Sequence, residues 1–226
     1  MAGHAMNKDV APPLLQSIAL PFLALLAACN MGAGGNASSG DSEQGELIGA
    51  RIGAPFTLTN QDGKPTRWDD YKGQYRLVYF GYTYCPDVCP VDLQKIMQGF
   101  AKFEKTRPAL AAKVQPMLIS VDPQRDTPAV LKPYVAAFHP RLIGLTGTKD
   151  QIAKVAKDFV VIYNAEEGSG KAGGASDYMV SHSRTPYLFD GEGKPVALVP
   201  VDDPATADVD EGAPDKVLAF LEKWVK

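Results

Sequence analysis

From about residue 52 onward the chain alternates between short apolar runs and longer stretches in which apolar residues recur every three or four positions. Arg76 to Thr83 is mostly apolar and rich in β-branched and aromatic residues, as a buried strand would be. Beyond it Leu93, Ile96, Met97, Phe100 and Phe103 fall at helical spacing, which predicts a helix with one buried face. Val114 to Val121 is a second continuous apolar strand. Asp126, Thr127 and Pro128 then open a helix whose inner face is Val130, Leu131, Tyr134, Val135 and Phe138. Pro133 should kink or restart that helix, because its ring collides with a carbonyl of the preceding turn. Leu142 to Thr146 is a third strand, and Thr148 with Gln151 predicts a capping box for a helix through Ile152, Val155 and Phe159.

The flanks follow the same logic. Ile52 to Leu58 reads as a strand ahead of a turn at Asp62-Gly63. Val160 to Asn164 and Tyr178 to Val180 read as strands around a loop, Glu166 to Gly174. The Gly170-Lys171 pair within it lacks the spacing and the following Ser or Thr of a phosphate loop. Thr185 to Asp190 and Pro195 to Val201 form a hairpin, and Pro214 starts a last helix with Val217, Leu218, Leu221 and Val225 inward. The acidic run Asp202 to Glu211 between them reads as a solvated loop. Strands alternating with helices predict an α/β domain whose sheet is covered on both faces.

Ahead of this domain lies a different kind of sequence. Leu14 to Ala28 is an apolar run of signal-peptide length, too short to span a bilayer comfortably. It ends in Leu26-Ala27-Ala28-Cys29, similar to the lipobox of a bacterial lipoprotein precursor, in which the cysteine is lipidated and becomes the new N-terminus. Asn30 to Gly45 is rich in Gly, Ser, Asn and Ala, a flexible linker spanning roughly 20 to 24 Å as a coil. The expected division is therefore residues 1–28 as signal peptide, 29–46 as lipidated cysteine and linker, and 47–226 as the folded domain. Export places that domain where thiols must be kept reduced actively if they are to bind metal. His4 would leave with the signal.

With 23 Lys and Arg against 26 Asp and Glu, the net charge of −3 gives no reason to expect nucleic-acid binding. Three cysteines in 226 residues exclude a disulfide-stapled mini-domain. Two of them, Cys85 and Cys89, stand where the first strand ends and the helix begins, each followed directly by proline. Pro90 suits a first helical position, which would put Cys85 in the entry loop and Cys89 at the helix N-terminus. There the unpaired N–H groups and the positive dipole end favour a thiolate. Side chains four apart on a helical turn share a face, so both sulfurs can converge on one metal or on each other. The chemistry is soft-metal binding or dithiol exchange. Asp87, between the cysteines, would raise a neighbouring thiol pKa if close.

Four motifs in order carry a resemblance: Y-F-G-Y-T-Y-C-P-D-V-C-P at Tyr79 to Pro90, S-V-D-P-Q-R-D-T-P at Ser120 to Pro128, F-H-P-R-L-I-G-L-T-G-T at Phe138 to Thr148, and Y-M-V-S-H-S at Tyr178 to Ser183. From about Ile52 to the C-terminus the chain resembles the Sco (SCO1/SenC) family. The resemblance implies a thioredoxin-like α/β fold, a mixed sheet flanked by helices with an added β-hairpin, tethered to a membrane. It also implies binding of copper, Cu(I) or Cu(II), for assembly of the CuA centre of cytochrome c oxidase. The implied metal residues are Cys85, Cys89 and His182; the implied partners are the oxidase subunit carrying CuA, a copper donor and a thiol reductant. Two thiolates and an imidazole make a soft, low-coordinate site, and a Cys85–Cys89 disulfide would remove both sulfur ligands. The alternative is a thiol-disulfide oxidoreductase that keeps client cysteines reduced.

Three departures bear on this. Tyr84 stands where the family often has histidine, and Ser181 replaces an aspartate that often precedes the metal histidine, which would remove a carboxylate partner of the ligand. Thr185-Pro186-Tyr187 is similar to the loop by which thioredoxins set a proline against their dithiol; a proline packed on the sulfurs would crowd out metal. His139 reads as structural, and Asp122, Arg125 and Asp126 as turn and capping residues that could also face the site.

Overall fold

The computed structural model describes residues 46–166, 178–203, 206 and 210–226, all within a compact unit spanning Asp41–Lys226. Cys29, the apolar leader, most of the linker and the Gly170-Lys171 loop lie outside the described residues. Among the described residues, no helix is long and apolar enough to cross a membrane.

The strands are β1 (Thr57–Asn60), β2 (Pro65–Arg67), β3 (Tyr75–Gly81), β4 (Val114–Ser120), β5 (Ile143–Thr146), β6 (Tyr163–Glu166), β7 (Met179–His182), β8 (Tyr187–Phe189) and β9 (Pro195–Leu198). The helices are α1 (Val88–Thr106), a single turn α2 (Pro108–Ala111), α3 (Pro128–Phe138), α4 (Lys149–Asp158) and α5 (Pro214–Trp224). Seven strands form one mixed sheet in the order β2-β1-β5-β4-β3-β8-β9, and β6 and β7 make a separate antiparallel pair. β3, β4 and β5 are parallel neighbours, joined through α1 and α3; β8 runs antiparallel to β3. The alternating pattern read from the sequence therefore produces the parallel centre, and the hairpin β8–β9 extends it.

Successive β3 side chains point to opposite faces. Val78 and Phe80 belong to a layer in which Phe159 sits 5.5 Å from Phe80, 5.5 Å from Trp68 and 5.3 Å from Phe189. Tyr79 faces the other way, toward α1, where it meets Asp92. On that side α1 buries Leu93, Ile96, Met97, Phe100 and Phe103 as its spacing requires, and α5 packs across it so closely that no side chain fits at Gly99. A Cβ there would stand 2.5 Å from Val217 Cβ and 2.8 Å from the Pro214 carbonyl oxygen.

Several boundaries differ from expectation. Ile52–Phe56 is not strand: Gly53 takes φ +88° and its N–H goes to the Asp158 carbonyl, so the chain bends onto the end of α4 before β1 begins. Val160 follows α4 with φ +56°, and Val161 N–H returns to the Ala156 carbonyl, a helix-ending turn that delays β6 to Tyr163. α3 runs through Pro133 without restarting, with Leu131 and Val135 buried on its inner face on either side of it. The capping box of α4 forms as read, with Thr148 and Gln151 bonding reciprocally at 3.2 and 2.8 Å. Part of the acidic run is not freely solvated: Lys95 on α1 binds Asp202 at 2.6 Å and Asp210 at 2.8 Å.

Candidate metal centre

β3 ends at Gly81, and Tyr82 to Asp87 carries the chain into α1. The helix starts at Val88, two residues earlier than Pro90 suggests; Pro90 still lies in the first turn, where its missing N–H has no partner to lose. Asp126 holds this loop in place. Its carboxylate, fully buried, accepts from Thr83 N at 3.1 Å, Thr83 Oγ1 at 2.5 Å and Ser120 Oγ at 2.6 Å. It does not cap α3, whose N-cap Thr127 has no side-chain bond. Asp122 pairs with Arg125 and accepts from Tyr178 Oη at 2.6 Å. The Arg125 guanidinium lies 3.7 Å over the Tyr178 ring and 4.8 Å over Tyr84, which gives the exposed Tyr84 a stacking role.

The two cysteines and the histidine meet. Cys85 is partly exposed in the entry loop, Cys89 is buried in the first turn of α1, and both are free. Cys89 N–H points back to Cys85 Sγ at 3.4 Å. His182, the last residue of β7, places Nε2 3.0 Å from Cys89 Sγ. Gly81 leaves room beside that sulfur: a Cβ there would stand 2.8 Å from Tyr79 Cε1 and 3.5 Å from Cys89 Sγ. The rings of Tyr82 and Tyr79 stand edge-on to the imidazole at 5.9 and 6.5 Å.

The protons of this cluster are unequally held. The Cys85 thiol is lowered to about 3, first by a hydrogen bond from Cys89, then by His182 and by the backbone N–H groups of Asp87 and Cys89, against the opposing effect of burial. Cys89 is pushed strongly upward by the same partnership and by burial. The pair therefore shares one proton near neutrality, carried by Cys89. This reverses the expectation that the helix N-terminus would favour a thiolate at Cys89: the first-turn N–H serves the sulfur in the loop, and Cys89 is buried. Asp87 also acts opposite to expectation, through its amide rather than its carboxylate. His182 Nδ1 lies 3.0 Å from the Ser183 carbonyl, which can only accept. Nδ1 thus donates to that carbonyl, and Nε2 is the nitrogen turned toward Cys89.

Two residues around the site, Asp92 and Arg184, were not singled out in the sequence. Asp92, buried on α1, accepts from Tyr79 Oη at 3.1 Å and from Arg184 Nε and Nη2 at 3.0 and 2.6 Å. A carboxylate three residues after Cys89, on a face otherwise apolar, is the signal that would have marked it. Arg184 and His182 also line an open cavity of about 750 Å³ with Val201, Lys216 and Phe220, an approach to the site from solvent.

Of the departures, Ser181 is exposed and bonds the Asn164 carbonyl, so orientation of His182 falls to the Ser183 carbonyl instead of a carboxylate. Pro186 is buried, and its carbonyl accepts from Val199 N–H at the base of β8–β9. His139 is structural: Nε2 meets Glu104 at 3.0 Å, Nδ1 accepts from Arg141 N–H, and the ring packs on Phe100. Among the described residues, no three His, Cys, Asp or Glu side chains already enclose an ion-sized space. The Cys89 and His182 donor atoms touch each other, so an ion bonded to both would have to part them. The donor set itself, two sulfurs and an imidazole nitrogen, suits a soft, low-coordinate metal.

A dithiol at the junction of a central strand and its following helix, on a mixed sheet completed by an antiparallel hairpin, defines a thioredoxin-like protein with a histidine brought to its cysteines. The chain belongs to the SCO1/SenC family, whose model matches residues 44–211. The mitochondrial SCO2 protein of Saccharomyces cerevisiae is 41% identical over 143 residues, 63% of this chain and 46% of that protein. Among solved structures, copper-bound ScoI of Bradyrhizobium japonicum is similar with a TM-score of 0.64 at 36% identity, over 77% of this chain and 99% of that one. Copper-bound yeast Sco1 gives 0.61 at 34% identity, over 77% and 90%. The chain spans about half the length of the first curated relatives it matches, 46% and 52%.

Proposed function

We propose that this protein carries copper for assembly of the CuA centre of cytochrome c oxidase, holding the ion between Cys85, Cys89 and His182. The observation that carries the reading is the 3.0 Å approach of His182 Nε2 to Cys89 Sγ, with the Cys85 thiolate beside them. Family membership and the likeness to copper-bound ScoI support it. Copper is cargo here: a donor loads it, a thiol reductant keeps the cysteines open, and the oxidase subunit carrying CuA receives it. The tether is a lipid on Cys29 after removal of residues 1–28, with 29–46 as the leash and residues 47–226 in the periplasm.

The test is copper stoichiometry on the reduced protein. One ion per chain is expected, and His182→Ala should weaken binding by more than the roughly 10- to 100-fold that an outer-shell partner is worth. Absence of tight binding, or binding indifferent to His182→Ala, would count against the carrier.

A second reading, a thiol-disulfide oxidoreductase, is favoured by the asymmetry of the dithiol. The Cys85 thiolate would attack a client disulfide, and Cys89 would then release the client as a dithiol and leave a Cys85–Cys89 disulfide. Disulfide reductase activity that survives His182→Ala would support it.

A further inference from the structure

His182 lies on a two-stranded ribbon, β6–β7, that is no part of the main sheet, and such a ribbon is marginally stable alone. Something must fix its end beside the cysteines. Among the contacts that do so, two are placed symmetrically about the site, one to the loop before α1 and one to α1 itself. Two residues before His182, Val180 N–H bonds Tyr82 Oη at 3.2 Å. Two residues after it, Arg184 binds Asp92. Tyr82 stands three residues before Cys85 and Asp92 three residues after Cys89. The segment bearing the imidazole is thus pinned, on both sides, to the segment bearing the sulfurs.

The two pins are unequal. The Val180 bond is neutral, whereas the Arg184 fork makes two charge-assisted bonds to a carboxylate whose side chain is 1% exposed. Asp92 in turn receives the hydroxyl of Tyr79, whose ring stands edge-on to His182. We propose that Arg184 is a positioning residue that sets the imidazole-to-sulfur separation by clamping the exit of β7 to α1 through Asp92. It touches neither the ion nor the sulfurs and acts through His182. The proposal rests on the reading of Cys85, Cys89 and His182 as the copper site only for its metal-bound outcome; the clamp exists in the metal-free protein and can be tested there.

The experiment compares wild type, Arg184→Met, Arg184→Lys, Asp92→Asn and the Arg184→Met/Asp92→Asn pair, all reduced. Histidine-labelled, metal-free protein is examined by NMR for the contact between the His182 ring and Cys89, and copper alone is then titrated with the nitrogen hyperfine signal of Cu(II) as readout. Arg184→Met should lose the ring contact and the imidazole signature and weaken copper binding by about 10- to 100-fold. Arg184→Lys, with the charge but not the fork, should fall between it and wild type. The double variant should lose no more than either single one, since the two residues act as a unit. A residue that merely stabilised the fold would lower the melting temperature without moving these signals. A folded Arg184→Met that keeps the ring contact and binds copper within about twofold of wild type overturns the clamp. Should Arg184→Met not fold, Arg184→Lys decides by the same ring contact. If wild type binds no copper while Arg184→Met still loses the contact, the carrier reading fails and the clamp stands.

Discussion

His182 and Cys89, 93 positions apart in the chain, meet at 3.0 Å between Nε2 and Sγ. The Ser183 carbonyl accepts from Nδ1 and so fixes the ring with Nε2 turned toward the sulfur. Cys89 as the protonated thiol and Cys85 as the thiolate is the arrangement that the burial of the two sulfurs also favours. An imidazole nitrogen, a thiol and a thiolate thus converge, and the same groups that could receive an ion also divide the labour of disulfide exchange.

The asymmetry predicts the pH profile of thiol reactivity. With Cys85 lowered to about 3, the reduced, metal-free protein should be alkylated by iodoacetamide at Cys85 alone, at a rate nearly flat from pH 5 to 8. An ordinary thiol near pH 8.5 would gain about tenfold per unit over that range. Peptide mapping by mass spectrometry at each pH provides the check, and a rate rising tenfold per unit, or modification of Cys89 first, would contradict it. The linked stability has two opposed parts. That of the lowered Cys85 is present above the ordinary thiol value and lost as pH falls toward the folded one, whereas that of the raised Cys89 is present below the ordinary value and lost as pH rises above it.

Asp126 predicts a cost in stability with a local consequence. Replacing it by alanine orphans Thr83 N–H and the hydroxyls of Thr83 and Ser120 in a buried place. The expected loss is about 2–4 kcal/mol, or a melting temperature lower by about 5–15 °C in a protein of this size. The loop from Tyr82 to Asp87 should loosen with it, so amide exchange at Cys85 should accelerate more than at Val114 in β4. Equal protection at the two positions would mean that Asp126 supports the fold at large and not the cysteine loop.

The core was legible in the sequence where burial and periodicity agree. β3, β4, α1 and α5 lie where their apolar patterns put them, because the two strands are buried on both faces and each helix turns one apolar face to the core. Boundaries failed where backbone geometry overrode composition: Gly53 and Val160 both adopt positive φ and turn apolar segments away from strand conformation. The cysteines announced themselves by spacing alone. His182 did not, since nothing local ties it to a site 93 residues earlier, and it was reached only through the resemblance. The Arg184–Asp92 pair was out of reach for the same reason, compounded by a reading of α1 as a purely apolar inner face. Arg76 makes the converse point: a charged residue opening a buried strand is accommodated at 1% exposure by the Trp68 ring and the Asp190 carbonyl.

The packing of α1 on α5 predicts that a helix-favouring substitution will be harmful. Alanine is a better helix former than glycine by about 1 kcal/mol, yet at Gly99 its Cβ would meet Val217 Cβ at 2.5 Å, Val217 Cγ1 at 2.6 Å and a backbone oxygen at 2.8 Å. Backbone cannot step aside as a flexible side chain can, so α5 must shift. Gly99→Ala should therefore destabilise by about 1–3 kcal/mol in urea unfolding. A neutral or stabilising result would show that the two helices are free to separate.

Under the proposed function, the proton count on metal binding separates this dithiol from an ordinary one. Two unperturbed thiols, each nearly fully protonated at pH 7, would release close to two protons when both bind an ion as thiolates. Here Cys85 has already lost its proton and Cys89 holds the shared one. Of the two sulfurs only Cys89 has a proton to give, so copper binding to the reduced protein at pH 7 should release about one proton per ion. Titration calorimetry in buffers of different ionisation heat measures this number directly. A value near two would mean that the cysteines titrate as independent, unperturbed thiols. A value near zero would mean that Cys89 keeps its proton and does not bind the ion as a thiolate, leaving Cys85 and His182 without the second sulfur on which the site depends.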